Sequence, residues 1–177
     1  MAREGQTIHN ARTGQRMTIV MLRHEVLRVE TVNPPSTARE PLHKHPKQAS
    51  RAEVHSGSVV FEVDRTTRRV EAGGSLDIPA GAPHRYWNDG REEARQTQTF
   101  WPALNIAEFF ETYAALAARG ELNTRGMPSP LQLAVMIPEF ADVIRLTQPP
   151  WVVQKAFASA LAPIARRRGH RPALALP

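Results

Sequence analysis

The sequence predicts a mainly β protein: an antiparallel sandwich or barrel over residues 1–102, followed by α-helices over residues 103–177. Three observations carry this reading. Short apolar runs recur about every ten residues through the first half, separated by turn residues, as in folds built from many short strands. No helical period shows before Trp101-Pro102, and one dominates after it. The 177 residues, 41% hydrophobic and 23% charged, fit one globular domain with an appendage and argue against two full-sized domains.

Met17 to Leu22 is the first run. Val26 to Val32 follows, with Leu27, Val29 and Thr31 alternating against Arg28 and Glu30 until Asn33-Pro34-Pro35 stops the strand. Further strands are expected at Val59 to Val63, Ser75 to Ile78, His84 to Trp87 and Gln96 to Trp101. Ser56-Gly57, Ala72-Gly73-Gly74, Pro79-Ala80-Gly81 and Asn88-Asp89-Gly90 supply the turns. Asn105 is expected to cap a helix that carries Ile106, Phe109, Phe110, Tyr113, Leu116 and Ala117 on one face and closes at Gly120. Ser129-Pro130 starts a second helical stretch, Leu131 to Ile137, broken by Pro138 and expected to resume over Glu139 to Leu146. Pro149-Pro150 opens a third, whose Trp151, Val153, Phe157, Ala160, Leu161 and Ile164 fall mostly on one side, a face to bury on the barrel or on a partner. The linkers are too short and too apolar for independent helices, so the extension is expected to pack on the barrel or on a partner subunit.

Composition removes several function classes. The absence of cysteine excludes disulfide scaffolds, thiolate zinc sites, iron–sulfur clusters and a cysteine nucleophile. No apolar run approaches the roughly 18 residues needed to span a bilayer, and the first residues lack an export signal, so a cytoplasmic location and no membrane partner are expected. The formal charge is +6, but the arginines are spread out and no nucleic-acid-binding motif accompanies them, so no nucleic-acid partner is expected. The dense cluster Arg166, Arg167, Arg168 and Arg171 reads as a solvated C-terminal tail.

The chemistry-bearing residues are His43-Lys44-His45 and the segment Gly73-x5-Pro79-x-Gly81-x2-His84-x3-Asn88. Side chains alternate along an extended strand, so His43 and His45 share a face while Lys44 points away. Behind the Pro79-x-Gly81 turn, His84 is placed to close a three-nitrogen face on one ion. Imidazole suits Fe, Zn, Ni and Cu alike, so ligand type does not choose among these divalent metals. Each ligand must be neutral to bind, and an ordinary imidazole titrates near 6.5, so metal loss is expected as pH falls below that value. Tyr86 and Asn88 share parity with His84 and are expected to face the interior, where a hydroxyl and an amide can orient a ligand as catalytic or pocket-lining groups.

These two segments resemble the paired motifs of the cupin superfamily, Gly-x5-His-x-His-x3-4-Glu-x6-Gly and Gly-x5-Pro-x-Gly-x2-His-x3-Asn. The second motif is met at every position. The first is met by His43, His45 and Gly57, with Thr37 in place of its first Gly and Ser50 in place of its Glu. The resemblance covers residues 37 to 88 and implies a jelly-roll barrel, a double-stranded β-helix, with His43, His45 and His84 as metal ligands. Glu53 is not a simple replacement for the missing carboxylate, because three residues on it faces away from Ser50. Three neutral ligands would leave a divalent ion its full charge, suited to an enolisable or anionic substrate. Loss of the carboxylate could equally mean a site without metal.

Three functions follow. One is a metal-dependent enzyme on a small organic molecule, a dioxygenase by family resemblance. A second is a metal-free isomerase or cyclase of a polyketide-like compound, using His84 or Tyr86 as acid or base. The third is a non-catalytic ligand-binding protein. A small-molecule ligand is common to all three. A homodimer is expected from the resemblance and from the apolar helix faces.

Overall fold

The alternating runs of the first half build two antiparallel sheets. The structure is a computed structural model describing residues 2–176. Its elements run β1 (Thr7–His9), β2 (Arg16–Leu22), β3 (Leu27–Asn33), β4 (His43–Lys44), β5 (Ala49–Ser56), β6 (Ser58–Val63), β7 (Thr66–Glu71), β8 (Ser75–Ile78), β9 (His84–Trp87) and β10 (Ala94–Trp101). Then follow α1 (Ile106–Ala118), α2 (Pro130–Glu139), β11 (Arg145–Leu146) and α3 (Trp151–Arg167). One sheet has the order β1-β2-β3-β10-β5-β8 and the other β11-β4-β9-β6-β7. Non-consecutive neighbours such as β3-β10-β5 are the crossovers of a jelly roll.

Two apolar clusters fill the interior. Ala52, Val54, Ile78 and Ala94 of the first sheet meet Val59, Phe61 and Val70 of the second. Ile8, Met17, Ile19, Leu27, Val29 and Phe100 of the first sheet continue without a break into Ile106, Ala107, Ala114 and Leu116 of α1, Met136 of α2 and Phe140 just after it. The extension therefore shares a core with the barrel. Gly57 joins β5 to β6 at φ +68, and a Cβ there would stand 3.0 Å from Ala94 Cα and Glu93 O, so both conformation and space demand glycine.

Every strand expected from an apolar run is present. β1, β5 and β7 are additional, because β1 has three residues and buries only Ile8, β7 buries only Val70 of its six residues and the buried positions of β5 are the small Ser50, Ala52 and Val54. The helices require three corrections. Asn105 precedes α1 without capping it; its amide instead donates to Glu139 O at 3.1 Å and ties α1 to α2. The second helix does not resume after Pro138, because proline withdraws a helical donor and crowds the preceding turn. The chain turns at Phe140 and forms β11 instead. In α3 the inward residues are Gln154, Ala158, Ala162 and Ala165, while Val153 and Ile164 face outward. The small alanines let α3 approach α2 closely, and Gln154 must face in to donate to Leu146 O (3.0 Å) and Pro149 O (2.7 Å).

Leu116 is buried and Phe109 and Phe110 pack against the shared core. Each such side chain contributes at most about 1.5 to 3 kcal/mol of burial. A chain ending at Pro102 is therefore expected to be insoluble or aggregated on size exclusion. A monodisperse truncation with the full-length melting temperature would refute this.

Candidate metal centre

β4 lies between β9 and β11, which brings His43 directly opposite His84 across the β4–β9 pair. His45 follows β4 on the same face. Ring centroids stand 5.2 Å apart for His43–His45, 4.6 Å for His43–His84 and 4.9 Å for His45–His84. One ring nitrogen from each lies within 4.8 Å of the others. The Pro79-x-Gly81 turn fixes this arrangement: Gly81, at φ +81, donates its amide to His45 O at 2.8 Å and delivers the chain to His84.

The Nδ1 atoms decide what the cluster can do. His43 Nδ1 bonds Pro41 O at 2.8 Å, His84 Nδ1 bonds Ala82 O at 2.9 Å, and His45 Nδ1 bonds Val143 O. A carbonyl only accepts, so each Nδ1 carries the proton and each Nε2 presents a lone pair. Three lone pairs gathered in a buried space repel unless a cation or donor sits among them. Ligating histidines are commonly oriented by such carbonyl bonds through the second ring nitrogen, so the donor set fits a divalent ion.

Burial is the main cause that lowers all three pKa values. His43 is held well below 6.5 by burial and then by His84 and His45. His45 is lowered to about 3 by burial and then by His84. His84 is lowered by burial against opposing effects of Ala82 O and Asp64. The imidazoles of the folded protein thus stay neutral below 6.5, and proton competition for metal starts at a lower pH than an ordinary histidine implies.

Ser50, 5% exposed, faces the same cavity as the three histidines. Glu53 points out of the barrel, 4.0 Å from both Arg28 and Arg51. Ser50→Glu is expected to add a charged ligand and raise retention of bound zinc by tenfold or more, read by chelator competition. Unchanged or weaker retention in a folded variant would show that position 50 does not reach the ion.

The cavity, about 160 Å³, is polar at its barrel end and apolar where the helices roof it. Phe109, Phe110, Met136, Ile137 and Phe140 form the roof, and Trp151 enters from α3. At the polar end the Tyr86 oxygen accepts from Gln15 Nε2 at 2.6 Å, and burial pushes its pKa up to about 12. Gln98 is a second hydrogen-bonding neighbour of the Tyr86 hydroxyl. Tyr113 donates to Glu40 Oε2 at 2.5 Å, and Asn10 and Arg12 bond Glu40 Oε1 at 3.1 and 3.4 Å. Arg145 donates to Ala141 O at 2.7 Å and lies 4.0 Å over the Trp151 ring. Glu40 is thus held by three donors, while Arg145 uses its Nε and its guanidinium face and has no carboxylate partner among the described residues.

Asn88 is placed elsewhere than expected. It is buried, but its amide donates to Asn33 O and Glu92 O and accepts from Gly90 N, holding the turn before β10 outside the cavity. His55 faces outward onto Thr97, and Arg39 stacks 4.1 Å over Trp87. Gln15, Tyr113 and the carbonyl of Val143 reach the site from segments far from either motif, and Glu40 lies within the first motif at a position whose residue the motif does not specify.

Residues 29–99, from β3 through most of β10, match the family model of the cupin domain. The barrel is a cupin domain. An RmlC-like cupin from Shewanella frigidimarina superposes with a TM-score of 0.51 at 21% identity, covering 60% of this chain and 93% of that one. KdgF from a Halomonas species aligns at a TM-score of 0.49 and 18% identity, covering 52% of this chain and 83% of that one. A sugar phosphate isomerase of the cupin superfamily from Silicibacter pomeroyi aligns at 0.47 and 18%, covering 51% and 61%. At these identities the likeness is one of fold. Comparison with curated proteins finds no match. Relative to the cupin barrel, the roof over the cavity and the Val143 carbonyl belong to the helical extension.

Proposed function

We propose that this chain is a metal-dependent cupin enzyme acting on a small, largely apolar organic molecule with one oxygen-bearing end. The observation that carries the proposal is the convergence of three neutral imidazoles whose Nδ1 protons are all held by carbonyls. His43, His45 and His84 would hold the ion, which when bound supplies Lewis acidity or, if redox-active, the electron transfer of an oxygenase. The roof of Phe109, Phe110 and Phe140 excludes water and takes the apolar body of the substrate. Tyr86 keeps its proton at neutral pH and donates a hydrogen bond to a substrate oxygen at the polar end. The apolar roof favours an enolisable ketone or phenol over a phosphorylated sugar.

The protonated Tyr86 beside neutral histidines also supports a second reading, a metal-free isomerase or cyclase of a polyketide-like compound. Protein purified without an affinity tag should contain about one divalent ion per chain and convert enolisable aromatic ketones only when loaded. Turnover under air but not nitrogen marks an oxygenase, and turnover under both marks an isomerase. Full turnover by chelator-treated, metal-free protein would overturn the metal-dependent reading in favour of the second. Binding without turnover would leave a ligand-binding protein.

A further inference from the structure

The outward side of α3 has no partner among the described residues. Val152, Val153 and Ile164 are 68, 48 and 45% exposed, and the exposed Ala156, Ala160 and Pro163 lie on the same face at helical spacing. Arg167 continues this face by one turn, and Lys155 and Arg166 flank it. The arginines are not the solvated tail expected from sequence. Arg166 and Arg167 form the last turn of α3, and Arg168 is its C-cap, bonded to Ile164 O and Ala165 O. Beyond the turn, His170 Nδ1 bonds Gln132 Oε1 at 3.0 Å and Gln132 Nε2 donates to Arg171 O at 2.8 Å, fastening the cluster to α2. No ion pair among the described residues involves these four arginines.

Charge is partitioned along the chain. Asp142 is the last acidic residue, and the segment after it carries five arginines and one lysine, which equals the formal +6 of the whole protein. Everything before it is balanced. A face that is apolar along its length, basic at its end and free of carboxylates has two complementary requirements. A second copy of α3 would bring only like charge to the arginines, and a nucleic acid would leave the valines and isoleucine uncovered. An anionic bilayer meets both, since acyl chains cover apolar side chains while acidic headgroups pair with arginine. Among the described residues no helix is long and apolar enough to cross a membrane, and the exposed apolar face beside a basic end suits a helix lying in the interface.

We propose that α3 docks the protein on anionic lipid surfaces, with Val152, Val153 and Ile164 inserted at the headgroup boundary and Arg166, Arg167, Arg168 and Arg171 on the acidic headgroups. This revises the expectation that no membrane partner exists. The first turn of the same helix contributes Trp151 and Gln154 to the cavity, so docking brings the apolar cavity close to the lipid phase from which an apolar substrate would partition.

Flotation of the full-length protein with vesicles tests this. Strong partitioning is expected onto equal parts phosphatidylglycerol and phosphatidylcholine and little onto phosphatidylcholine alone, with binding weakening as salt rises. Arg166→Glu, Arg167→Glu and Arg168→Glu together should lower partitioning by about 100-fold or more. Val152→Ser, Val153→Ser and Ile164→Ser together should lower it by at least about tenfold. All six positions are exposed, so unchanged circular dichroism is the folding control. The proposal is overturned if the wild type stays in the aqueous phase, binds both vesicle types equally, or is unaffected by the serine substitutions. Retention on duplex DNA without vesicle binding, or a dimer dissolved by the serine variant without vesicle binding, would overturn it in favour of those partners.

Discussion

His84→Ala is expected to lower the affinity for a divalent ion by at least about 100-fold, with the chain still folded. Among the described residues the ligand cluster consists of three imidazoles, and Ser50 has a neutral hydroxyl where a carboxylate would otherwise share the load. Even disturbing a group that orients a ligand costs about 10 to 100-fold, and removing a ligand outright must exceed that. The remaining pair, His43 and His45, stays fastened by Pro41 O and Val143 O and retains a weak two-nitrogen site. Folding is expected to survive because the variant removes one of three mutually repelling buried rings, and a core of Val59, Phe61 and Val70 lies beneath. Calorimetric titration with zinc, beside a thermal melt of metal-free protein, separates the two effects. Near wild-type affinity in a folded His84→Ala protein would mean that the three histidines do not form one site.

The side-chain parity of strands made much of this centre legible. His43 and His45 share a face, Ser50 and Glu53 face oppositely, and the turn through Gly81 leads into His84. Those relations are local, set by the period of the strand and the φ of one glycine. Contacts spanning the chain were not legible. His45 meets Val143 O across 98 residues, and β11 pairs Arg145 with Lys44 and Leu146 with His43 to close the sheet beside the site. Leu146 belongs to a stretch that helical spacing alone placed in a resumed helix, and only pairing with β4 gives it a reason to extend. The orientation of α3 failed for a related reason: its larger apolar residues marked one side, whereas close approach to α2 selected the alanines. Asn88 shows the limit of parity itself, since a residue at the end of a strand turns inward or holds the turn according to which backbone groups lie nearby.

Metal-free protein is expected to lose stability as pH falls below about 6.5. All three site histidines have folded-state pKa values below the ordinary one, mainly through burial, with His45 at about 3. Between the folded and unfolded values the unfolded chain binds more protons than the folded one, so unfolding free energy rises with pH and the stability present above 6.5 is lost on acidification. Each group that stays neutral in the fold while it is protonated in the unfolded chain contributes up to about 1.4 kcal/mol per pH unit. Exposed acid pairs such as Arg69 with Asp89, where the arginine lowers the carboxyl pKa through a hydrogen bond, weaken only at lower pH. Zinc should oppose the loss at pH 6, because it binds the neutral rings of the folded chain. In His84→Ala the slope should be smaller, because His84 also helps to hold the other two rings neutral. Urea unfolding of chelator-treated protein between pH 7.5 and 5 measures these slopes. Constant stability over that range would show that the three rings are not held neutral by the fold.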